Sequence, residues 1–332
     1  MDCILNNQTP ITTEDPSSSE EVRNWLELPH NVISHIFLKL GAIDILLSAQ
    51  SVCPTWRKVS KEPSLFRSID MRNRSDLFDG KMYDLEKLAR VAVDRSCGQL
   101  IEFSMDCFGN NELLAHLADK SCELRCLRLV SSYEVRGDAL IDVAKKAVML
   151  EELEICHCSF LEDTLIVVGN SCPQLKSLRL NHRGYMPTHV ESDNEVLAIA
   201  GYMPELRHLQ LLGSKLTNVG LKAILDGCLH LESLDLRQCF NVNLEWDLLR
   251  TCRNRFIKLR LPNDSTDDNE FDDATDDRFS ERSWSRYLTF DLDTDSSDYN
   301  PNFDFYHYDS DLDYPYFICG NKLPFDPEDY FG

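Results

Sequence analysis

Large apolar residues return along this chain in triplets of fixed internal spacing, the second three positions after the first and the third two beyond that. They are Phe66/Ile69/Met71, Leu100/Phe103/Met105, Leu124/Leu127/Leu129, Leu150/Leu153/Ile155, Leu175/Leu178/Leu180, Leu206/Leu209/Leu211, Leu231/Leu234/Leu236 and Phe256/Leu259/Leu261. An interval of two puts both residues on one face of an extended strand. Successive triplets start 34, 24, 26, 25, 31, 25 and 25 residues apart, so the pattern predicts about eight strand-bearing units. Between them the spacing turns helical: Leu221, Ile224 and Leu225 follow Thr217, and Leu165 and Val168 follow Asp163. Thr217 and Asp163 are residue types that cap a helix start, and Gly169, Gly201 and Gly227 suit the turns out of it. Each unit therefore reads as strand, turn and a helix of two to three turns, which makes the fold class α/β with a parallel sheet.

The triplet spacing and its period resemble those of leucine-rich repeats. Cys97, Cys172 and Cys228 stand three residues before a triplet, and Cys158 and Cys239 eight residues after one begins. They are expected to fill small buried slots. The runs Cys158-Ser159-Phe160-Leu161-Glu162-Asp163 and Cys172-Pro173-Gln174-Leu175 are similar to the cysteine-containing subclass of these repeats. Cys156-His157-Cys158 has no second Cys or His pair at finger-like spacing, so no metal is expected there. Side-chain alternation sends the residues between the apolar ones to the concave face of a horseshoe-shaped stack. That face names the candidate substrate-binding residues Arg128, Glu154, Arg179, Gln210, Asp235, Arg237 and Arg260. Eight strands about 4.8 Å apart give a face on the order of 34 Å long, the scale of a folded protein or a peptide segment. The 31-residue unit holds extra residues around Arg183 to His189, a loop suited to contact a partner.

Residues 25–62 lack the repeat and predict three short helices. Val32, Ile33, Ile36, Phe37 and Leu40 share one face of the first, which Leu28-Pro29 leads in and Gly41 stops. The second is expected to begin at Asp44, and the third to open with Pro54 and carry Trp56. About 40 residues rarely bury enough surface alone to offset chain entropy. Part of this apolar module can rest on the first repeat, and the remainder implies another subunit. The order Leu28-Pro29, Ile36-Phe37, Leu40, Asp44-Ile45-Leu46, Val52-Cys53, Trp56-Arg57 resembles an F-box. With the repeats behind it, the chain resembles plant F-box/leucine-rich-repeat proteins of the Skp-interacting-partner group. The resemblance implies a non-catalytic, substrate-recruiting adaptor of an SCF-type E3 ubiquitin ligase. The F-box would bind the Skp-family adaptor and through it the cullin and RING subunits, while the repeats bind a target for ubiquitylation and proteasomal degradation. By position, adaptor contacts fall on Leu28, Pro29, Ile36, Phe37, Leu40, Ile45, Leu46 and Val52, with Trp56 inside the module. A ligase-independent interaction scaffold is the alternative.

Charge divides the chain. The formal net charge is −22, and residues 262–332 hold 20 Asp and Glu against 4 Lys and Arg. The expected organisation is an N-terminal segment over 1–24, the F-box over 25–62, repeats over 63–262 and a disordered acidic tail over 263–332. Aromatics such as Trp284, Tyr287, Phe303 and Tyr316 punctuate the tail, a composition suited to weak contacts with basic partners. An acidic balance repels phosphate backbones, so nucleic acid is not an expected partner, and no stretch approaches the roughly 20 apolar residues of a membrane span, so neither is a membrane. Thirteen cysteines without a secretory leader point to a reducing intracellular setting, nucleus or cytoplasm. No phosphate loop, nucleophile elbow or paired zinc motif is present in the sequence, and no cofactor is expected.

Overall fold

The middle residue of every triplet lies in a strand. The computed structural model describes residues 28–72, 83–132, 134–157, 162–182 and 191–268. Within them β1 (Ser68–Met71), β2 (Glu102–Asp106), β3 (Cys126–Val130), β4 (Glu152–Cys156), β5 (Ser177–Asn181), β6 (His208–Leu212), β7 (Ser233–Asp235) and β8 (Lys258–Arg260) form one parallel sheet in chain order. Register aligns the middle triplet residues in a single row, Ile69, Phe103, Leu127, Leu153, Leu178, Leu209, Leu234 and Leu259. All but Leu259 are buried, each contributing about 1.5–3 kcal/mol of apolar burial. A second ladder runs just ahead of the strands, where one backbone N–H per unit, from Ile101, Arg125, Glu151, Lys176, Arg207, Glu232 and Ile257, donates to the carbonyl of the unit before at 2.8–2.9 Å.

Seven helices alternate with these strands: α4 (Leu85–Arg95), α5 (Asn111–Lys120), α6 (Gly137–Lys146), α7 (Glu162–Ser171), α8 (Asn194–Tyr202), α9 (Asn218–Gly227) and α10 (Trp246–Arg255). Side chains cap several starts: Asp84 accepts from the Lys87 amide at 3.0 Å, Asn110 from Leu113 at 2.9 Å and Thr217 from Val219 at 3.1 Å. From α4 to α9 each helix packs on the next. Neighbouring helices need about 8–10 Å between axes and neighbouring strands only about 4.8 Å, so the sheet lies on the concave side.

Three local expectations need correction. Asp163 is no cap; it lies in the first turn of α7. Gly169 lies inside that helix, where a Cβ would come within 2.6 Å of the Tyr202 carbonyl, and Gly227 ends α9 with a Cβ position 2.2 Å from the Ala200 carbonyl. Both glycines let adjacent helices touch. Cys172, Cys228 and Cys239 are buried as expected, but Cys97 is exposed. In its unit Ser96 takes the slot, its carbonyl accepting from Gln99 as the Cys172 carbonyl does from Leu175. One additional residue then enters through the positive φ of Cys97 and Gly98, 49° and 83°. Cys158, the 183–189 insertion and the aromatics of the tail lie outside the described residues.

The amino-terminal module is α1 (His30–Leu40), α2 (Ala42–Leu47), a 3-10 turn over Ala49–Ser51, and α3 (Pro54–Val59). Gly41 takes φ +83° between the first two, and this sharp bend starts α2 at Ala42, with Asp44 in its first turn. The Cys53 thiol accepts from the Trp56 amide at the start of α3, 3.4 Å away. Phe37 and Trp56 meet edge to face with centroids 5.2 Å apart. Helix α2 packs on β1 and α4, and Arg95 of α4 donates to the Ser60 carbonyl at 3.1 Å and to Gln50 Oε1 at 2.8 Å. The module's interior is thus continuous with the core of the first repeat.

Candidate functional site

Among the described residues, two surfaces carry the side chains expected to bind. On the module, eight residues are candidates for the adaptor, and the structure separates them. Pro29, Leu40 and Val52 are exposed, and Leu28 and Ile36 are half-buried. Phe37, Ile45 and Leu46 are not available, because all three are sealed in the core that α1 and α2 share with the first repeat. Sequence periodicity marked these three as apolar but could not tell an inward face from an outward one. Val32, outside the expected set, is exposed and stands four and eight residues ahead of Ile36 and Leu40. The three make one stripe along α1, close to the chain's entry at Pro29. His30 and Ser34 on α1 both bond Glu62, the Ser34 hydroxyl at 3.4 Å, which ties this helix to the end of the module.

The second surface is the concave row. Register places Arg128, Glu154, Arg179, Gln210, Asp235 and Arg260 side by side from β3 to β8. Glu154 is only 4% exposed, with Arg128 Nε 3.5 Å and Arg179 Nη1 3.2 Å from the same carboxylate oxygen, Oε2. It is therefore an internal counter-ion that holds two arginines, rather than a free contact. Gln210 donates to Asn181 Oδ1 at 2.8 Å. Asp235 and Arg237 are buried too and face each other as a two-pronged pair, Nε to Oδ1 at 3.0 Å and Nη2 to Oδ2 at 2.7 Å. Arg179 and Arg260 are the exposed members of the row, and Arg128 and Gln210 are half-buried.

What buries Arg237 was not visible in the sequence. After β8 the chain turns back, and Arg237 Nη1 donates to the Ser265 carbonyl at 3.0 Å and to Asp268. Arg260 bonds the other oxygen of the same Asp268 carboxylate. The compact unit accordingly runs on to Asp268, beyond the expected boundary at residue 262. Desolvation pushes the Asp268 carboxyl upward, but the hydrogen bond and charge of Arg237 and the charge of Arg260 together outweigh it and leave the group below the usual carboxylate range. The hydrogen bond that Arg237 donates to Asp235 raises the Arg237 guanidinium against its own desolvation. At the opposite end, Asp70 and Arg72 repeat the pairing, with Nη2 to Oδ2 at 2.8 Å. Burial raises the Asp70 carboxyl, and bonding to Arg72 reverses this to a net lowering. Among the described residues no group of His, Cys, Asp and Glu is arranged to hold a metal, and no single helix is long and apolar enough to cross a membrane.

The F-box-like family model matches residues 25–72, the helical module and the first strand. Three proteins of Arabidopsis thaliana are similar over 80% of this chain. F-box/LRR-repeat protein 23 is 48% identical over 267 residues, and the match spans 59% of that protein's length. F-box protein SKIP19 is 45% identical with 86% of its length covered, and F-box/LRR-repeat protein 22 is 46% identical with 84% covered. With this similarity running through both the helical module and the stacked parallel strands, the chain belongs to the plant F-box/LRR-repeat protein family.

Proposed function

We propose that this protein is the substrate-recruiting subunit of an SCF-type ubiquitin ligase. The observation that carries the reading is the apolar stripe Val32, Ile36 and Leu40, with Pro29, Leu38 and Val52 also open to solvent, on a module whose Ile33, Phe37, Ile45 and Leu46 are used internally. A Skp-family adaptor covering that stripe would join the chain to cullin and RING subunits. The concave row would meanwhile hold a protein target, within the nucleus or cytoplasm. Recruitment works by effective concentration: a target lysine held near a charged ubiquitin carrier reacts as if intramolecular, and the other subunits supply the chemistry. Such a receptor needs no catalytic group of its own.

Reconstitution tests this. Cells expressing the tagged chain, with the proteasome inhibited, should yield the adaptor together with one or more ubiquitylated partners. The Leu40→Asp/Val52→Asp variant should retain the partners, lose the adaptor and leave those partners unmodified. Capture of partners without any adaptor by the wild-type chain would replace this reading with that of a ligase-independent scaffold.

A further inference from the structure

The turn that ends the repeat stack is built rather than incidental. The Gln238 amide donates to the Pro262 carbonyl at 2.8 Å, Asp264 N–H to the Leu261 carbonyl at 3.1 Å, and Leu261 N–H to Asp264 Oδ2 at 2.9 Å. The Asp267 amide donates to Ser265 Oγ at 3.1 Å. This closed loop returns the chain over the sheet and delivers Asp268 between two guanidinium groups. Arg237 cannot turn away to meet it, since Nε and Nη2 are already committed to Asp235, leaving Nη1 aimed at the site. Arg260 is much freer, its side chain 46% exposed. One fixed and one adjustable guanidinium make a preorganised clamp for a two-oxygen anion.

We propose that the Arg237–Arg260 clamp is a recognition site for a carboxylate side chain of an acidic segment in the recruited protein, and that Asp268 occupies it in cis until displaced. The proposal rests on the recruiter reading and supplies its substrate class. On the concave side of β7 and β8 and just past β7, Arg237, Lys258 and Arg260 outnumber Asp235, and the turn brings the opposing carboxylates of Asp264, Asp267 and Asp268. Asp268 is suited to leave. Its side chain is 53% exposed, and it sits at the end of the turn, whose own bonds at residues 261–267 do not depend on it. An entering carboxylate replaces like with like, so the clamp is never emptied and the buried Asp235–Arg237 pair stays intact.

The test uses the full chain bound to its adaptor and a fluorescein-labelled decapeptide of alternating Glu and Ser, read by anisotropy at low salt. A Gln/Ser peptide and a phosphoserine/Gln peptide serve as the two other arms. Asp268→Asn should tighten binding of the Glu peptide about fivefold by weakening the cis occupant. Arg260→Gln, at a residue exposed enough to spare the fold, should weaken it about tenfold with an unchanged urea midpoint. Equal binding of the Glu and Gln peptides, or unchanged affinity in either variant, overturns the proposal, and binding of the phosphoserine peptide alone overturns the carboxylate assignment. Adaptor retention on the same preparations is scored separately: its loss defeats the recruiter reading, whereas peptide results alone decide the clamp.

Discussion

The helical module and the repeat stack solve one physical problem in opposite ways. A repeat cannot bury its apolar face alone, but the next copy buries it, and from β1 to β7 the aligned row is sealed by translation. The module has no copy of itself. It borrows the first repeat for Phe37, Ile45 and Leu46 and leaves Leu40 37% and Val52 56% exposed. With Leu38 also exposed beside them, these residues form the apolar surface proposed above to meet another molecule. The stack shows the converse on its concave side: arginines there are held by Glu154 and Asp235 in fixed positions, so what it offers is charge with a defined geometry.

The sharpest contrast is in stability. Leu178→Ala opens a cavity in the middle of the aligned row and should cost about 2–5 kcal/mol in urea unfolding, whereas Val52→Ala should cost less than about 0.5 kcal/mol. Equal costs would erase the distinction between a satisfied and an unsatisfied region. Arg95→Ala cuts the bonds that join module and stack at Ser60 and Gln50. It should destabilise by about 1.5–3 kcal/mol, the range for hydrogen bonds from a charged group, and hydrogen exchange should show the loosening concentrated in residues 42–60.

Acid should act on the stack. The hydrogen bond from Lys176, stronger than the opposing desolvation, lowers the Glu151 carboxyl; burial is the largest influence on Asp70 and raises it, but the hydrogen bonds and charge of Arg72 together leave it lowered. A carboxyl lowered on folding contributes stability that is full above its unfolded value, near 4, and is lost as pH falls through its folded value. The melting temperature should therefore be flat from pH 7 to about 5 and fall below about 4, and replacing Glu151 by Gln should flatten part of that fall. The smallest effect is chemical: burial pushes the thiols of Cys172 and Cys228 up to about 11 and that of Cys239 to about 12. Iodoacetamide at pH 8 should modify exposed Cys97 and Cys122 while leaving these three intact in the native state, as mass spectrometry of the peptides would show.

The strands were legible because an interval of two and a period near 25 residues are properties of the chain itself, and every triplet residue from Phe66 to Leu259 falls where that arithmetic puts it. Neighbour relations were less legible. Gly169 reads as a helix stop until Tyr202 of the next helix is seen against it, and Cys97 reads as a core slot until the additional residue beside Ser96 shifts the frame. In the module, apolar spacing on α1 and α2 located the apolar positions but not their direction, because short helices there carry two apolar faces, one inward and one outward. On the concave side, residue types located Arg237 and Arg260, but Asp268 sits in an acidic run whose members look alike, and only the turn at Pro262–Asp264 singles it out.

The central claim is that the outward stripe of the module, and not its interior, holds a second protein. Calorimetric titration of the purified chain with a Skp-family adaptor tests it directly. Wild-type protein should bind one equivalent, and Leu40→Asp/Val52→Asp should lose at least about 30-fold in affinity, some 2 kcal/mol of interface energy, with its melting temperature unchanged. Full affinity in that double variant would contradict the account.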